Sequence, residues 1–462
     1  MKKLEARAAI CIILALALLA GLAYYVFLLA RDGSKWASYP ANQDVYHNGY
    51  LSTGAIYDRN KDLLLKHTKS GKTIFNDDES IRQATVHAVG DIEGNISTGA
   101  NQVYASQMVG YNFLTGTYST SGEGRKIYLT IDDKLCETAN EALDGRNGTI
   151  GVYNYKTGEI VCMVSSPNYD PENPPEVGAN DTSGTYLNKL LSSTVVPGST
   201  FKVITATAAL ENIKDIGSWS YTCTGSQQYG SYKNDRVTCT PAHGTVDLEQ
   251  ALADSCNCAF GQLATKIGAK KMKEYVDKAG LTSSYDVDGI PTAKGSFEFP
   301  SSGVNLAWAG VGQYKDQVNP CSMMVYLGAI ANGGRAADPR ILQSIKYSNG
   351  FSAGIQLKTS TRELVKKSTA QKLEKMLHND VVDHYGQENF PNLDLCAKSG
   401  TAEITSDVEP HSWFVGYIRN EGYPYAFVVL IENGGYGAEV AGSAANQVLQ
   451  EIISSDDYKT GS

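Results

Sequence analysis

The hydrophobic pattern changes character several times along the chain. Residues 8–30 read AAICIILALALLAGLAYYVFLLA, 23 positions without a charge. As a helix this run is about 35 Å long, enough to cross a hydrocarbon core of about 30 Å. Lys2, Lys3 and Arg7 precede it, so the positive-inside rule expects residues 1–7 in the cytoplasm and everything from Arg31 onward outside. The small residues around Gly21-Leu22-Ala23 would suit a cleavage site, but the apolar run continues to Ala30, too long for a signal core. The expected organisation is therefore an uncleaved, single-pass membrane anchor.

Residues 31–122 show short strand-like runs broken by Gly, Asn and Ser, a length that suits one small domain. From residue 123 the texture changes. Lys126-Ile127-Tyr128-Leu129-Thr130-Ile131-Asp132 is a strand pattern, and Asp132 is placed to cap a helix reaching Leu143. Thr149–Tyr153 and Glu159–Ser165 are apolar runs around a turn at Gly158, a hairpin. Trp413–Ile418 and Tyr425–Ile431 form a second hairpin across Asn420-Glu421-Gly422. Helical patterns cover 199–211, 248–264 and 442–453. Strands at both ends with helices between them predict an α+β fold, its sheet drawing on distant segments. This second unit is expected to span 123–457, with 458–462 as a tail. The acidic stretch after Ile453 reads as disordered.

Composition narrows the function. Forty basic against 49 acidic residues give a net charge of −9, which argues against binding nucleic acid through its phosphates. Eight of the nine cysteines lie beyond the apolar run. Cys223 and Cys239 flank a polar, Gly- and Tyr-rich stretch and are the best disulfide candidates in an exported chain. Cys162, Cys258, Cys321 and Cys396 lie in regular patterns and read as small buried hydrophobes. With no CxxC pair, no HExxH and scattered histidines, no metal site and no cofactor are expected.

Three short motifs carry chemistry. In Pro197-Gly198-Ser199-Thr200-Phe201-Lys202, helical spacing places Ser199 and Lys202 on one face. A desolvated lysine can be neutral and take the serine proton, and the helix N-terminus favours developing negative charge. Asp254-Ser255-Cys256-Asn257, within the 248–264 helical pattern, offers a relay hydroxyl and a carboxamide. Lys398-Ser399-Gly400-Thr401, read as an edge strand, offers a cation, two hydroxyls, and a glycine where substrate must approach backbone. Each motif alone is more often structural. Lys156-Thr157-Gly158 has similar letters but sits at a hairpin tip and reads as a turn.

Ser-x-x-Lys, Ser-x-Asn and Lys-Ser-Gly in this order resemble the penicillin-binding transpeptidases and serine β-lactamases. Thr130-Ile131-Asp132, Ser166-Pro167-Asn168-Tyr169-Asp170-Pro171, His243-Gly244, Ala331-Asn332-Gly333-Gly334, His411-Ser412-Trp413-Phe414-Val415-Gly416 and Gly54-Ala55-Ile56-Tyr57-Asp58-Arg59-Asn60 sharpen this to class B penicillin-binding proteins, in a short PbpA-like, division-type branch. The resemblance covers about residues 43–453. Thr53 stands where the family usually has Arg, and Lys61-Asp62 where Gly is usual.

The resemblance implies a penicillin-binding transpeptidase fold, an antiparallel sheet flanked by helices after a small N-terminal dimerisation or pedestal-like domain. It implies a serine D,D-transpeptidase that cross-links peptidoglycan stem peptides and is acylated by β-lactams at Ser199. Lys202 would be the base, Ser255 the proton relay and Asn257 the amide holder. Lys398, with Ser399, Gly400 and Thr401, would bind the terminal carboxylate. Glycan polymerisation would fall to an integral-membrane polymerase of the shape, elongation, division and sporulation family. A D,D-carboxypeptidase would use the same residues with water as acceptor. A β-lactamase would need an added base for deacylation, and a non-catalytic β-lactam-binding or cell-wall scaffold would not need three intact motifs.

Overall fold

A computed structural model describes residues 2–37, 46–47, 50–51, 53–109, 124–178, 180–354, 356–403 and 407–459. The boundary expected at 122/123 and the last three residues lie outside these. The first helix, α1 (Lys2–Ala37), contains one stretch, Lys3–Gly33, long and apolar enough to cross a membrane, with mean hydropathy 2.6 and its apolar centre exposed.

Strands β1 (Ala55–Tyr57), β2 (Leu63–His67) and β3 (Thr73–Phe75) lead to helix α2 (Glu79–Val89). Then come β4 (Lys126–Leu129) and helix α3 (Asp133–Leu143). The cap read from the sequence is present. Asp132 accepts from Lys134 N and Leu135 N at 3.1 and 3.2 Å, and its other oxygen takes the Asn60 amide at 2.9 Å. Asp132→Ala is expected to cost about 1–2 kcal/mol of stability, read as a lower chemical-denaturation midpoint with the acylation rate unchanged.

The hairpin is β5 (Gly148–Asn154) and β6 (Ile160–Ser166), its turn held by Asn154 Oδ1 accepting from Lys156 N and Thr157 N. Lys156-Thr157-Gly158 is thus the turn expected, with Gly158 at φ +82°. Helix α4 (Lys202–Asn212), helices α5 (Leu248–Ala253) and α6 (Asn257–Ile267), helix α7 (Pro320–Ala331) and strand β7 (Leu342–Lys346) follow. Helix α8 (Lys367–Asn379) runs into a π-helical stretch, Asp380–Gly386. Strands β8 (Leu395–Ala402), β9 (His411–Ile418) and β10 (Tyr425–Ile431) and helix α9 (Gly437–Ser454) complete the chain.

Two five-stranded sheets result. The central one is antiparallel, in the order β8-β9-β10-β5-β6, with β8 at an edge as expected. Every residue of β5, β6 and β10 is buried, so the sheet is covered on both faces and its strands read as continuous apolar runs. Tyr153 reaches Val325 O of α7. Ile150, three residues earlier and therefore on the opposite face, shares its row with Val429 and Phe414, the side on which α9 lies against Phe414. The second sheet, β7-β4-β1-β2-β3, takes three strands from before residue 122 and two from beyond it.

Two sequence expectations change. The stretch after Ile453 is ordered through residue 459, because Tyr458, 5% exposed, inserts beneath the Arg59 guanidinium and packs edge-on to Tyr425. The 248–264 pattern is not one helix. It breaks between α5 and α6, where Ser255 takes a left-handed conformation at φ +52°.

Candidate active site

That break builds the site. Ser255 N bonds Leu252 O and Cys256 N bonds Ala251 O, closing α5, while Cys256 caps α6. The left-handed turn, a conformation costing a non-glycine residue on the order of 1 kcal/mol, aims both the carbonyl and the hydroxyl of Ser255 at one point. That point is Lys202 Nζ. It lies 2.6 Å from Ser255 O, 2.9 Å from Ser255 Oγ, 2.7 Å from Asn257 Oδ1 and 2.8 Å from Ser199 Oγ.

Hydrogen-bond capacity then dictates proton positions. Ser255 O is a pure acceptor. So is Asn257 Oδ1, whose amide is fixed by Nδ2 donating to Thr238 O at 2.9 Å. A neutral amine has two N–H groups, which these two acceptors take. Its lone pair is left between the hydroxyls of Ser199 and Ser255, one the expected nucleophile and the other the expected relay. Lys202 is fully buried, and burial, followed by repulsion from Lys398, lowers its amine to about 7. Ser199, Ser255 and Asn257 are partly exposed around it.

Ser199 sits on a short 3₁₀ turn, Gly198–Phe201, that leads into α4. The turn is tied down on three sides. Gly198 N bonds Gly312 O at 3.0 Å, Thr200 Oγ1 bonds Pro197 O at 2.8 Å, and the buried Trp413 of β9 donates its indole N–H to Val196 O at 3.0 Å. Strand β8 runs directly against it. A Cβ on Gly400 would stand 2.8 Å from Thr200 Cγ2, and one on Gly198 would stand 2.9 Å from Thr401 O. The two glycines let strand and turn meet. Ser399 and Thr401 are the only half-exposed residues of β8, on one side of the strand and next to Ser199 in space through this contact.

Lys398 differs from its expected setting. It is fully buried, with Nζ 3.0 Å from Tyr385 Oη and 3.6 Å from Asp380 Oδ2. Tyr385 Oη also accepts from Ser399 N at 2.9 Å. Tyr385 and Asp380 hold Lys398 above its usual pKa against the opposing effect of burial, while burial raises the Asp380 carboxyl to about 6. Lys398 therefore sends its charge toward the cleft from beneath Ser399 and does not lie open to solvent. Asp380 and Tyr385 carry no signal in the sequence. They belong to no motif and reach Lys398 through the π-helical stretch, whose wider turn a 3.6-residue pattern does not reveal.

All eight expected residues thus gather around one cleft, the Ser255 motif at a helix break, the Ser199 motif on a turn and the Lys398 motif on the adjoining edge strand. The profile of the penicillin binding protein transpeptidase domain matches residues 148–453, about two thirds of the chain and all three motifs. The chain belongs to this penicillin-binding transpeptidase family. Among its relatives, peptidoglycan D,D-transpeptidase PbpA of Mycobacterium tuberculosis is 28% identical over 358 residues, covering 72% of each chain. Peptidoglycan D,D-transpeptidase MrdA of Escherichia coli is 24% identical over 393 residues, covering 72% of this chain and 58% of its own. Among solved structures, penicillin-binding protein A of M. tuberculosis as an imipenem acyl-enzyme complex superposes with a TM-score of 0.76 at 22% identity, over 89% of this chain and 99% of that one.

The cysteines depart from expectation. All nine are free thiols, Cys223 and Cys239 included. Cys239 Sγ lies 3.8 Å from Cys256 Sγ, because the loop carrying Cys239 packs onto the start of α6. No metal-ligand spacing in the sequence announces a second grouping. Cys223, Cys239, His243 and Cys256 come together with one ligand atom of each within 4.8 Å of the others.

Proposed function

We propose that Ser199 is the nucleophile through which this peptidoglycan D,D-transpeptidase cross-links stem peptides. The observation that carries the reading is the lone-pair side of Lys202, left facing two hydroxyls after two pure acceptors have taken its N–H groups. The neutral amine takes the Ser199 proton. Ser199 Oγ attacks the carbonyl of the penultimate D-Ala, and the backbone N–H groups of Ser199 and Thr401 receive the oxyanion. Lys202 passes the proton through Ser255 to the departing D-Ala amine. Asn257 holds the stem amide. Ser399 and Thr401 bind the terminal carboxylate in the field of Lys398, with Gly400 keeping the strand close. An amine from a neighbouring stem then attacks the acyl-enzyme and returns the proton along the same path. A β-lactam acylates Ser199 by the first half of this sequence and stays bound.

The same reading places residues 1–7 in the cytoplasm, 8–30 across the membrane, 31–122 as a pedestal and 123–457 as the outward-facing catalytic unit. Lys2, Lys3 and Arg7 ahead of the apolar run support that orientation. The chain's glycan substrate would come from an integral-membrane glycan polymerase beside it.

The test uses the full chain in detergent. Incubation with a fluorescent penicillin should give a persistent covalent adduct that peptide mass spectrometry maps to Ser199. A stem peptide ending in D-Ala-D-Ala, with a second stem as acceptor, should yield a cross-linked dimer and free D-Ala. An adduct on another residue would overturn the assignment of Ser199. Hydrolysed peptide without dimer would mark a D,D-carboxypeptidase, and loss of the adduct within seconds a β-lactamase.

A further inference from the structure

Beside the catalytic lysine lies a cluster that the proposed reaction does not use. Cys223 ends a short strand, Tyr221–Cys223, that pairs with Gly244–Val246. His243 immediately precedes that partner strand. Cys239 follows the strand Arg236–Thr238, and its N–H is held by Gly225 O at 2.9 Å. Cys256 caps α6 between Ser255 and Asn257. Two small hairpins and one helix start thus present three sulfurs and one imidazole to a common centre, all within 4.8 Å.

Their details fit a metal better than a thiol cluster. A tetrahedral zinc with Zn–S bonds of about 2.3 Å sets its sulfurs about 3.8 Å apart, and Cys239 Sγ to Cys256 Sγ is 3.8 Å. Backbone N–H groups of α6's first turn point at these two sulfurs, Cys258 N at Cys239 Sγ (3.3 Å) and Ala259 N at Cys256 Sγ (3.4 Å). Such donors stabilise thiolates. His243 Nδ1 is buried without a hydrogen-bond partner. The nearby Cys258, whose thiol donates to Val237 O at 3.4 Å, lies outside the set.

We propose that Cys223, Cys239, His243 and Cys256 form a structural zinc site that fixes the second catalytic motif. The three thiols bind as thiolates and their protons pass to solvent. The closed Cys₃His set leaves no open position for substrate. Its reach into the active centre is short. Cys256 lies between Ser255 and Asn257, and Cys239 follows Thr238, whose carbonyl orients the Asn257 amide that receives Lys202. The metal count is independent of what Ser199 does, so the two readings can fail separately.

The full chain in detergent, reduced, loaded with zinc and freed of excess metal by gel filtration, should carry about one zinc per chain by atomic emission. Cobalt in its place should show thiolate charge-transfer and tetrahedral bands. Cys239→Ser and His243→Ala each remove a direct ligand and should weaken zinc binding by more than the roughly 10- to 100-fold that loss of an outer-shell partner costs. His243→Cys, which leaves a four-sulfur set, should retain the metal and strengthen the cobalt charge-transfer band, a result separate from simple misfolding. Chains without stoichiometric zinc after loading would overturn the proposal. So would metal retained unchanged in Cys239→Ser and His243→Ala, or a Cys239–Cys256 disulfide found by mass mapping in the purified protein.

Discussion

Lys202→Met should lower the rate of Ser199 acylation by a fluorescent penicillin about 10²- to 10⁴-fold, the usual contribution of a positioned general base. Lys202→Arg should lose as much. The argument turns on the lone pair. In the neutral amine, Ser255 O and Asn257 Oδ1 occupy the two N–H groups, which leaves the lone pair to face Ser199 Oγ, 2.8 Å away. Methionine has no basic atom, and a guanidinium stays protonated and has no acceptor, so neither can take the serine proton. If Lys202 served only as a positive charge, arginine would substitute for it. Acylation by Lys202→Arg within about tenfold of wild type would therefore remove the base assignment. The pH profile adds a second reading. Burial and Lys398 lower the Lys202 amine to about 7. The active form is the deprotonated one, so the acylation rate should rise with pH through about 7 and level off above it. Neither variant should show this rise.

How much of this was legible in advance follows from the range of each interaction. Apolar runs on either side of a turn mark the second hairpin, and the Asp132 cap and the Gly158 turn are visible because each is set within a few residues. The three motifs were legible as chemistry, since residue types and order carry it. Their geometry was not. The 248–264 stretch is apolar at helical spacing, and nothing local announces that Ser255 turns left-handed; in that conformation its carbonyl meets Lys202, 53 positions away. Asp380 and Tyr385 were invisible because a buried ion pair is made by tertiary contact and leaves no periodic mark. The cysteines were misread for the same reason. Cys223, Cys239, His243 and Cys256 are brought together from separate short strands, a loop and a helix cap, so no compact spacing announces the cluster. Tyr458 was assigned to disorder from its acidic neighbours, although its own ring finds Arg59 nearly 400 positions earlier.

Asp380→Asn should destabilise the protein by about 3–5 kcal/mol at pH 7, the cost of leaving a buried charge without its partner. Asp380 and Lys398 are both fully buried, and at 3.6 Å the carboxylate is the only acidic group paired with Lys398 Nζ among the described residues. Asparagine keeps the shape and removes the charge. Tyr385 Oη, which already serves both Lys398 Nζ and Ser399 N, cannot replace it. Two further measurements separate this from ordinary loss of packing. Adding Lys398→Met to Asp380→Asn should recover much of the stability in chemical denaturation, because an uncharged pair needs no compensation; a double variant as unstable as the sum of the singles would refute the pairing. The penalty should also depend on pH. Burial raises the Asp380 carboxyl to about 6, so at pH 7 the wild type carries the charge that Asp380→Asn lacks. As pH falls from 7 through about 6 toward the unfolded-chain value near 4, the folded wild type takes up a proton that its unfolded chain does not, so it gains stability that Asp380→Asn cannot gain and the difference between the two proteins should widen. A penalty constant from pH 7 to pH 5 would mean that the folded and unfolded chains bind the same number of protons at Asp380, so that its charge is no less stable beside Lys398 than in water.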